Sequence, residues 1–320
     1  MIMGLIETLQ LSFGAELIAA FRALQSDALK IVERASENED TIKELGGAID
    51  DLFDPPDETL KAKTPAPFDR ARLGKKYDWK GGNYQKLISE IVARNQEDIA
   101  TRITGRDKKK YTAEFRKLIP KTERGRIFKF PPMSDIMGRS TKIIKAAESG
   151  QLMSKTLREK LRGNLRETMS ELGVSTSSGT VPKRLAANFE NKMKDTFKGY
   201  VRRGPGGAPP ANIKDIAVTE TRSFSNEVRR QYALQTAALQ RDFEITRKWK
   251  HNPGLSKTEP RENHAHMDGK SPGADGYYRL KGKGGQIYLT VGPHGPELPV
   301  GEVSSCHCEE VFRIKKKPAV

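Results

Sequence analysis

All five histidines of this 320-residue chain (His251, His264, His266, His294, His307) and both cysteines (Cys306, Cys308) fall between positions 251 and 308. In an extended segment, residues two apart face the same side. The "HAH" of "RENHAHMDGK" and the "CHC" of "SSCHCEE" therefore each aim two donors at one point. His264 and His266 with Cys306 and Cys308 make a two-imidazole, two-thiolate set suited to tetrahedral zinc, although zinc knuckles usually separate paired cysteines by about two to four residues. The same residues fit two other readings. A thiolate beside an imidazole can act as a nucleophile, and histidines can hold the metal of a nuclease or other hydrolase. Neither is signposted: the histidine pair is split by Ala265, and "KGKGGQ" at 281–286 lacks the spacing of a phosphate-binding loop. The expectation is a non-enzymatic protein, with zinc or plain hydrogen bonding closing a small fold, and a metal-dependent nuclease as the alternative.

Short strands have to position these residues. "EITRKWK", with Ile245, Arg247 and Trp249 alternating, "GQIYLTVG" and "EEVFRIK" read as strands among dense glycines and prolines. Before about position 242 the pattern is helical. Leu5, Ile6, Leu9, Phe13, Leu17, Ile18, Phe21 and Leu24 form one stripe. Ser154 reads as an N-cap before Leu157, Leu161, Leu165, Met169 and Leu172, with Gly173 as the stop. Asn212 with Asp215 opens a further helix to about Gln240. On that helix Glu220 falls on the stripe of Ala217, Phe224 and Val228. A buried carboxylate there joins the histidine and cysteine set, pairs with an arginine, or caps a backbone turn. The class is α+β: a mainly helical N-terminal region, then a small α+β domain with short strands.

Charge divides the chain. Residues 1–60 carry −9 and residues 61–320 carry +25 of the net +16. The expected organisation is an acidic amphipathic helical arm (1–53), a proline-containing linker (54–76), a basic helical region (77–150) and a C-terminal domain (151–320). The densest run, 106–130, has ten basic and three acidic residues. Lys108, Lys109, Lys110, Arg116, Lys117, Lys121, Arg124 and Arg126 are its candidate nucleic-acid contacts, of the nonspecific kind that releases condensed counterions. Tyr111, Phe115, Phe128 and Phe130 between them either stack on bases or pack into a local core. Glu7 and Glu16 interrupt the apolar N-terminus, so neither a membrane span nor a signal peptide is expected. Two thiols one residue apart suit a cytoplasm better as free thiols or ligands than as a disulfide.

Four stretches in order, "IAVTETRSFSNEVRRQYA", "KWK", "RENHAHMDGK" and "PELPVGEVSSCHC", resemble the Mu F-like head-morphogenesis domain of tailed bacteriophages. The matching positions are Thr219 and Glu220, Trp249, Arg261 and His264, Asp268 and Gly269, Pro299, Glu302, Cys306 and Cys308. The family's asparagine before the first cysteine is Ser305 here, and its arginine between the cysteines is His307. The resemblance covers about 150–312. It implies a minor head (capsid) protein at the portal vertex, acting in head assembly or DNA delivery. Portal, capsid or scaffold protein and packaged DNA would be its partners. Its location would be the virion, after assembly in the host cytoplasm. A general nucleic-acid-binding protein is the remaining alternative.

Overall fold

The computed structural model describes residues 2–38, 40–53, 77, 83–123, 125–174, 179–252, 261–282, 284–304 and 306–317. The expected linker at 54–76 lies outside them. Among the described residues, seven long or medium helices come first: α1 (Ile2–Glu37), α2 (Ile42–Asp51), α3 (Tyr84–Leu118), α4 (Met133–Ile143), α5 (Ala146–Glu171), α6 (Lys183–Val201) and α7 (Ala211–Leu239). Then follow β1 (Phe243–Lys250), the single-turn α8 (Glu262–Ala265), β2 (Tyr278–Lys281), β3 (Ile287–Thr290), the single-turn α9 (Val300–Val303) and β4 (Glu309–Lys316). Helices first and short antiparallel strands last is the α+β arrangement read from the sequence. The chain does not divide into consecutive segments, however. It forms two interleaved units, one of 1–9, 95–145 and 215–320, the other of 10–94 and 146–214.

The second unit is all helical. Leu17, Ala20, Phe21, Leu24 and Ala28 of α1 are completely enclosed. By length and composition α1 could cross a membrane, but half of its most apolar stretch is buried inside the protein. The apolar face of α1 is thus occupied within the fold. Asp27 on α1 accepts a buried hydrogen bond from Tyr84 Oη at 2.7 Å. Thr41 and Glu44 form a reciprocal capping box at the start of α2. The stripe Leu157, Leu161, Leu165 and Met169 is buried on α5, as its spacing indicates. Ser154 is not a cap: α5 starts at Ala146, which leaves Ser154 buried in the helix interior. Gly150 is what lets this earlier turn exist, since a Cβ there would meet Ser89 Oγ at 2.2 Å and Ser89 N at 2.8 Å.

In the first unit, α3 from Asn95 onward, α4 and α7 build one core with β1 and β4. An isolated pair of strands is marginal in water. Here Phe243, Phe312 and Ile314 pack against Phe224, Val228 and Tyr232 of α7. β1 and β4 are antiparallel, with Trp249 opposite Glu310 and Arg247 opposite Phe312. The β2–β3 hairpin places Tyr278 opposite Thr290. Glu310 connects the two sheets, accepting from Tyr278 Oη at 2.9 Å and lying 3.5 Å from Arg247 Nε. Burial pushes its carboxyl up to about 7, with Arg247 pulling the other way. The aromatics of the basic run are core residues: Phe115 stacks on Phe128 at 4.8 Å and Tyr111 on Tyr232 at 5.9 Å.

Two outcomes follow from this packing. Gly150→Ala gains about 0.5–1 kcal/mol of helix propensity but overpacks against backbone, at about 1–3 kcal/mol. Urea denaturation should therefore show net destabilisation. For Glu310 the folded value lies above the unfolded one near 4.5, so its contribution is fully present below about pH 4.5 and is lost as pH rises through about 7. Glu310→Gln should gain on the wild type by about 2–3 kcal/mol between pH 5 and pH 8, measured as the difference of the two denaturation midpoints at each pH.

Candidate metal centre

The second core of the β-containing unit holds Trp249, Met267, Tyr278, Leu280 and Leu298 together with both cysteines. Into it α8 delivers His264. Arg261 O accepts from the amides of His264 and Ala265, both at 3.0 Å, which winds this segment into a helical turn. The turn corrects the extended-strand reading: residues two apart on a helix point in different directions. His264 is therefore 1% exposed, while His266 lies on the outside. Among the described residues, the donors within 4.8 Å of one another are those of His264, Cys306 and Cys308.

His264 Nδ1 lies 3.3 Å from Cys306 Sγ and 3.6 Å from Cys308 Sγ. Its other nitrogen, Nε2, is 2.9 Å from Glu302 Oε2. With the carboxylate accepting from Nε2–H, Nδ1 faces the two sulfurs: it hydrogen-bonds them when protonated and offers them its lone pair's side, where a metal would sit, when neutral. A carboxylate behind the ring is the arrangement that orients and enriches a metal-binding histidine. Asn263 Nδ2 donates to the same Glu302 oxygen at 3.1 Å. Trp249 meets the imidazole edge to face at 5.8 Å.

The two thiols are not equivalent. Cys306 is pulled far below its ordinary value by the hydrogen bond from Cys308, then by His294 and His264, against the effect of burial. Cys308 is pushed up by the same bond and by burial. The amide of Cys308 also donates to Cys306 Sγ, at 3.4 Å. The bond between them thus favours ionising Cys306 before Cys308, and a cation placed between them would favour ionising both.

The motif residues of the sequence converge here. Arg261 donates to Glu302 O at 3.1 Å and Ser304 O at 2.7 Å, satisfying carbonyls at the end of α9. Glu302 N donates to Pro299 O at 2.8 Å. Gly269 has φ +73, a left-handed conformation that suits glycine, and its amide reaches Trp249 O at 2.8 Å. Asp268 Oδ1 accepts from His251 N at 2.8 Å. Thr219 and Glu220 are only half-buried on α7, so the premise of a fully buried carboxylate at 220 does not hold. The α7 groups that hold the cysteine loop are others: Asn226 Nδ2 donates to Cys308 O at 3.3 Å, and Arg222 Nη1 to His307 O at 3.3 Å. Both were visible in "TRSFSNEVRR" only as ordinary polar residues on a helix.

The expected nucleic-acid residues separate into two kinds. Lys108, Lys109, Arg116, Lys117 and Lys121 are exposed. Lys110 donates to Phe312 O at 3.3 Å, and Arg126 pairs with Asp242 at 2.7 Å, so both are tied into the fold. Arg124 and Ser305 lie outside the described residues.

The chain matches no family model and no solved structure. A curated relative is the uncharacterized protein YqbB of Bacillus subtilis (strain 168). The two are 30% identical over 95 residues, which is 30% of this chain and 28% of that protein. The chain thus matches less than a third of that relative's length.

The arrangement gives an expected result for the residue behind the ring. Glu302→Ala removes the acceptor that fixes the His264 tautomer and should lower the affinity of the cluster for a metal ion by about 10- to 100-fold, read with zinc as the probe by competition with a chromophoric chelator. His264→Ala should lower it further, and His266→Ala should leave it unchanged.

Proposed function

We propose that this chain is a minor head protein of a tailed bacteriophage, of the Mu F-like kind. In this reading its β-containing unit is closed by a structural zinc ion, and its exposed cations associate with packaged DNA. One observation carries the proposal: of the positions selected from the sequence by resemblance, Trp249, Arg261, His264, Glu302, Cys306 and Cys308 lie in or directly against one buried cluster, and Asp268, Gly269 and Pro299 are hydrogen-bonded to the segments that flank it. Residues matched by chance over sixty positions would have no reason to converge.

A structural ion fits the cluster better than a catalytic one. Cys306 with His264 and Glu302 has the connectivity of a nucleophile, base and orienting carboxylate. But a hydrolytic metal keeps a position open to water, and Cys306, Cys308 and His264 are 5%, 1% and 1% exposed. An enclosed set of this kind stabilises a domain whose sheets, among the described residues, have two strands each. The portal, capsid or scaffold contact belongs to surfaces other than the apolar face of α1. DNA association is the simplest use of the five exposed cations on and beside the C-terminal part of α3, in a chain of net charge +16.

Three measurements test the reading together. Purified protein should hold about one zinc per chain and lose thermal stability on chelation. DNA binding should weaken steeply with salt, and replacing Lys108, Lys109, Arg116, Lys117 and Lys121 by alanine should reduce the log–log slope by about four to five. The chain should co-sediment with the portal protein of the phage that carries it. Salt-sensitive DNA binding without portal association would favour a general nucleic-acid-binding protein. Metal-dependent plasmid cleavage lost in His264→Ala would favour the nuclease.

A further inference from the structure

We infer that His251, rather than His266, supplies the fourth ligand of the zinc site, so that the ion is held by His251, His264, Cys306 and Cys308. The inference rests on the metal reading above and adds to it the residue that completes the tetrahedron. Zinc with bonds of about 2.3 Å to sulfur and about 2.0–2.1 Å to nitrogen has nitrogen-to-sulfur edges of about 3.5 Å. The two edges from His264 Nδ1 are 3.3 and 3.6 Å, and His251 Nδ1 lies 3.4 Å from Cys308 Sγ. All three separations have the length the tetrahedron asks for.

The position of His251 is set by its neighbours. It follows β1 directly, and its amide is fixed on Asp268 Oδ1 at 2.8 Å. Asn252 Nδ2 donates to His307 O at 3.1 Å, which ties the same stretch to the residue between the cysteines. His251 Nε2 is buried without a hydrogen-bond partner among the described residues, so the ring is oriented by its Nδ1 contact with sulfur. The tight group of mutually close donors comprises the other three residues. Coordination therefore requires the His251 ring to close on the ion, exchanging its hydrogen bond with Cys308 for a bond to the metal that Cys308 also holds.

The other histidines are placed less well. His266 is exposed on the far side of the α8 turn. His294 is buried, its Nε2 has no hydrogen-bond partner among the described residues, and it acts on Cys306 by charge and by hydrogen bonding; what sets it apart from His251 is that its Nδ1 is 3.5 Å from Ser223 Oγ and its backbone sits at φ +62. It is the rival candidate.

The test is titration of the reduced, metal-free full chain with cobalt(II) and then zinc(II), in the wild type and in His251→Ala, His251→Cys, His266→Ala and His294→Ala. His251→Ala should lower zinc affinity by at least about tenfold and weaken the visible cobalt bands that mark tetrahedral coordination. Its sulfur-to-cobalt charge-transfer band should persist, because both thiolates remain. His251→Cys restores a donor and should recover tetrahedral cobalt with a stronger charge-transfer band. His266→Ala and His294→Ala should match the wild type. Wild-type affinity and spectrum in His251→Ala, or the loss appearing in His294→Ala instead, overturns the assignment while leaving the metal reading intact. A wild-type chain that binds neither ion overturns both.

Discussion

Two sulfurs buried beside an indole ring cannot both carry charge unless a cation or donated protons answer them, and the second core of the β-containing unit is arranged around that requirement. His264 presents one nitrogen to both sulfurs because Glu302 holds the other. Glu302 is placed by α9, and α9 is in turn capped by Arg261 at the start of α8. The geometry is circular: each of the two single-turn helices is fixed by a residue adjoining the other. Neither turn is long enough to be stable alone. The polar cluster between them sets where both chains run.

Glu310 works differently. It sits one strand residue beyond the cysteine loop and bridges the sheets through Tyr278 and Arg247. Beside it, Glu309 is pushed up by burial but pulled lower overall by Arg229 and Lys250. Adjacent carboxyls on β4 thus differ in protonation because alternate residues of a strand face opposite sides. One faces cations, and the other faces a tyrosine and a single arginine in a closed interior.

The helical periodicity and three of the four strands could be read from residue pattern alone. β2 could not, since "YRLK" is only four residues long and shows a single apolar-polar repeat. His266 was misplaced because a two-residue spacing carries information about direction only when the backbone is extended, and nothing in "RENHAHMDGK" forbids a helical turn. Ser154 reads as a cap because it stands just before the Leu157 stripe, and the two further turns back to Ala146 carry no such stripe to announce them. The aromatics of 111–130 were ambiguous for a related reason. Alternation of ring and cation suits nucleic acid and a half-buried helix equally well, and only the tertiary neighbours Tyr232 and Phe243 decide it. The interleaving of the units has no local signature whatever.

That interleaving bears on how the protein is made. Ile6 and Leu9 share a hydrophobic cluster with Phe312 and Ile314, residues synthesised some three hundred positions later. A chain emerging from the ribosome can assemble the all-helical unit once residue 214 is clear, but the opening turns of α1 still lack the part of their cluster that α7, β1 and β4 supply. Contacts of such wide sequence separation are slow to form. The core around β1 and β4 is thus completed only once Lys316, the last residue of β4, has been added.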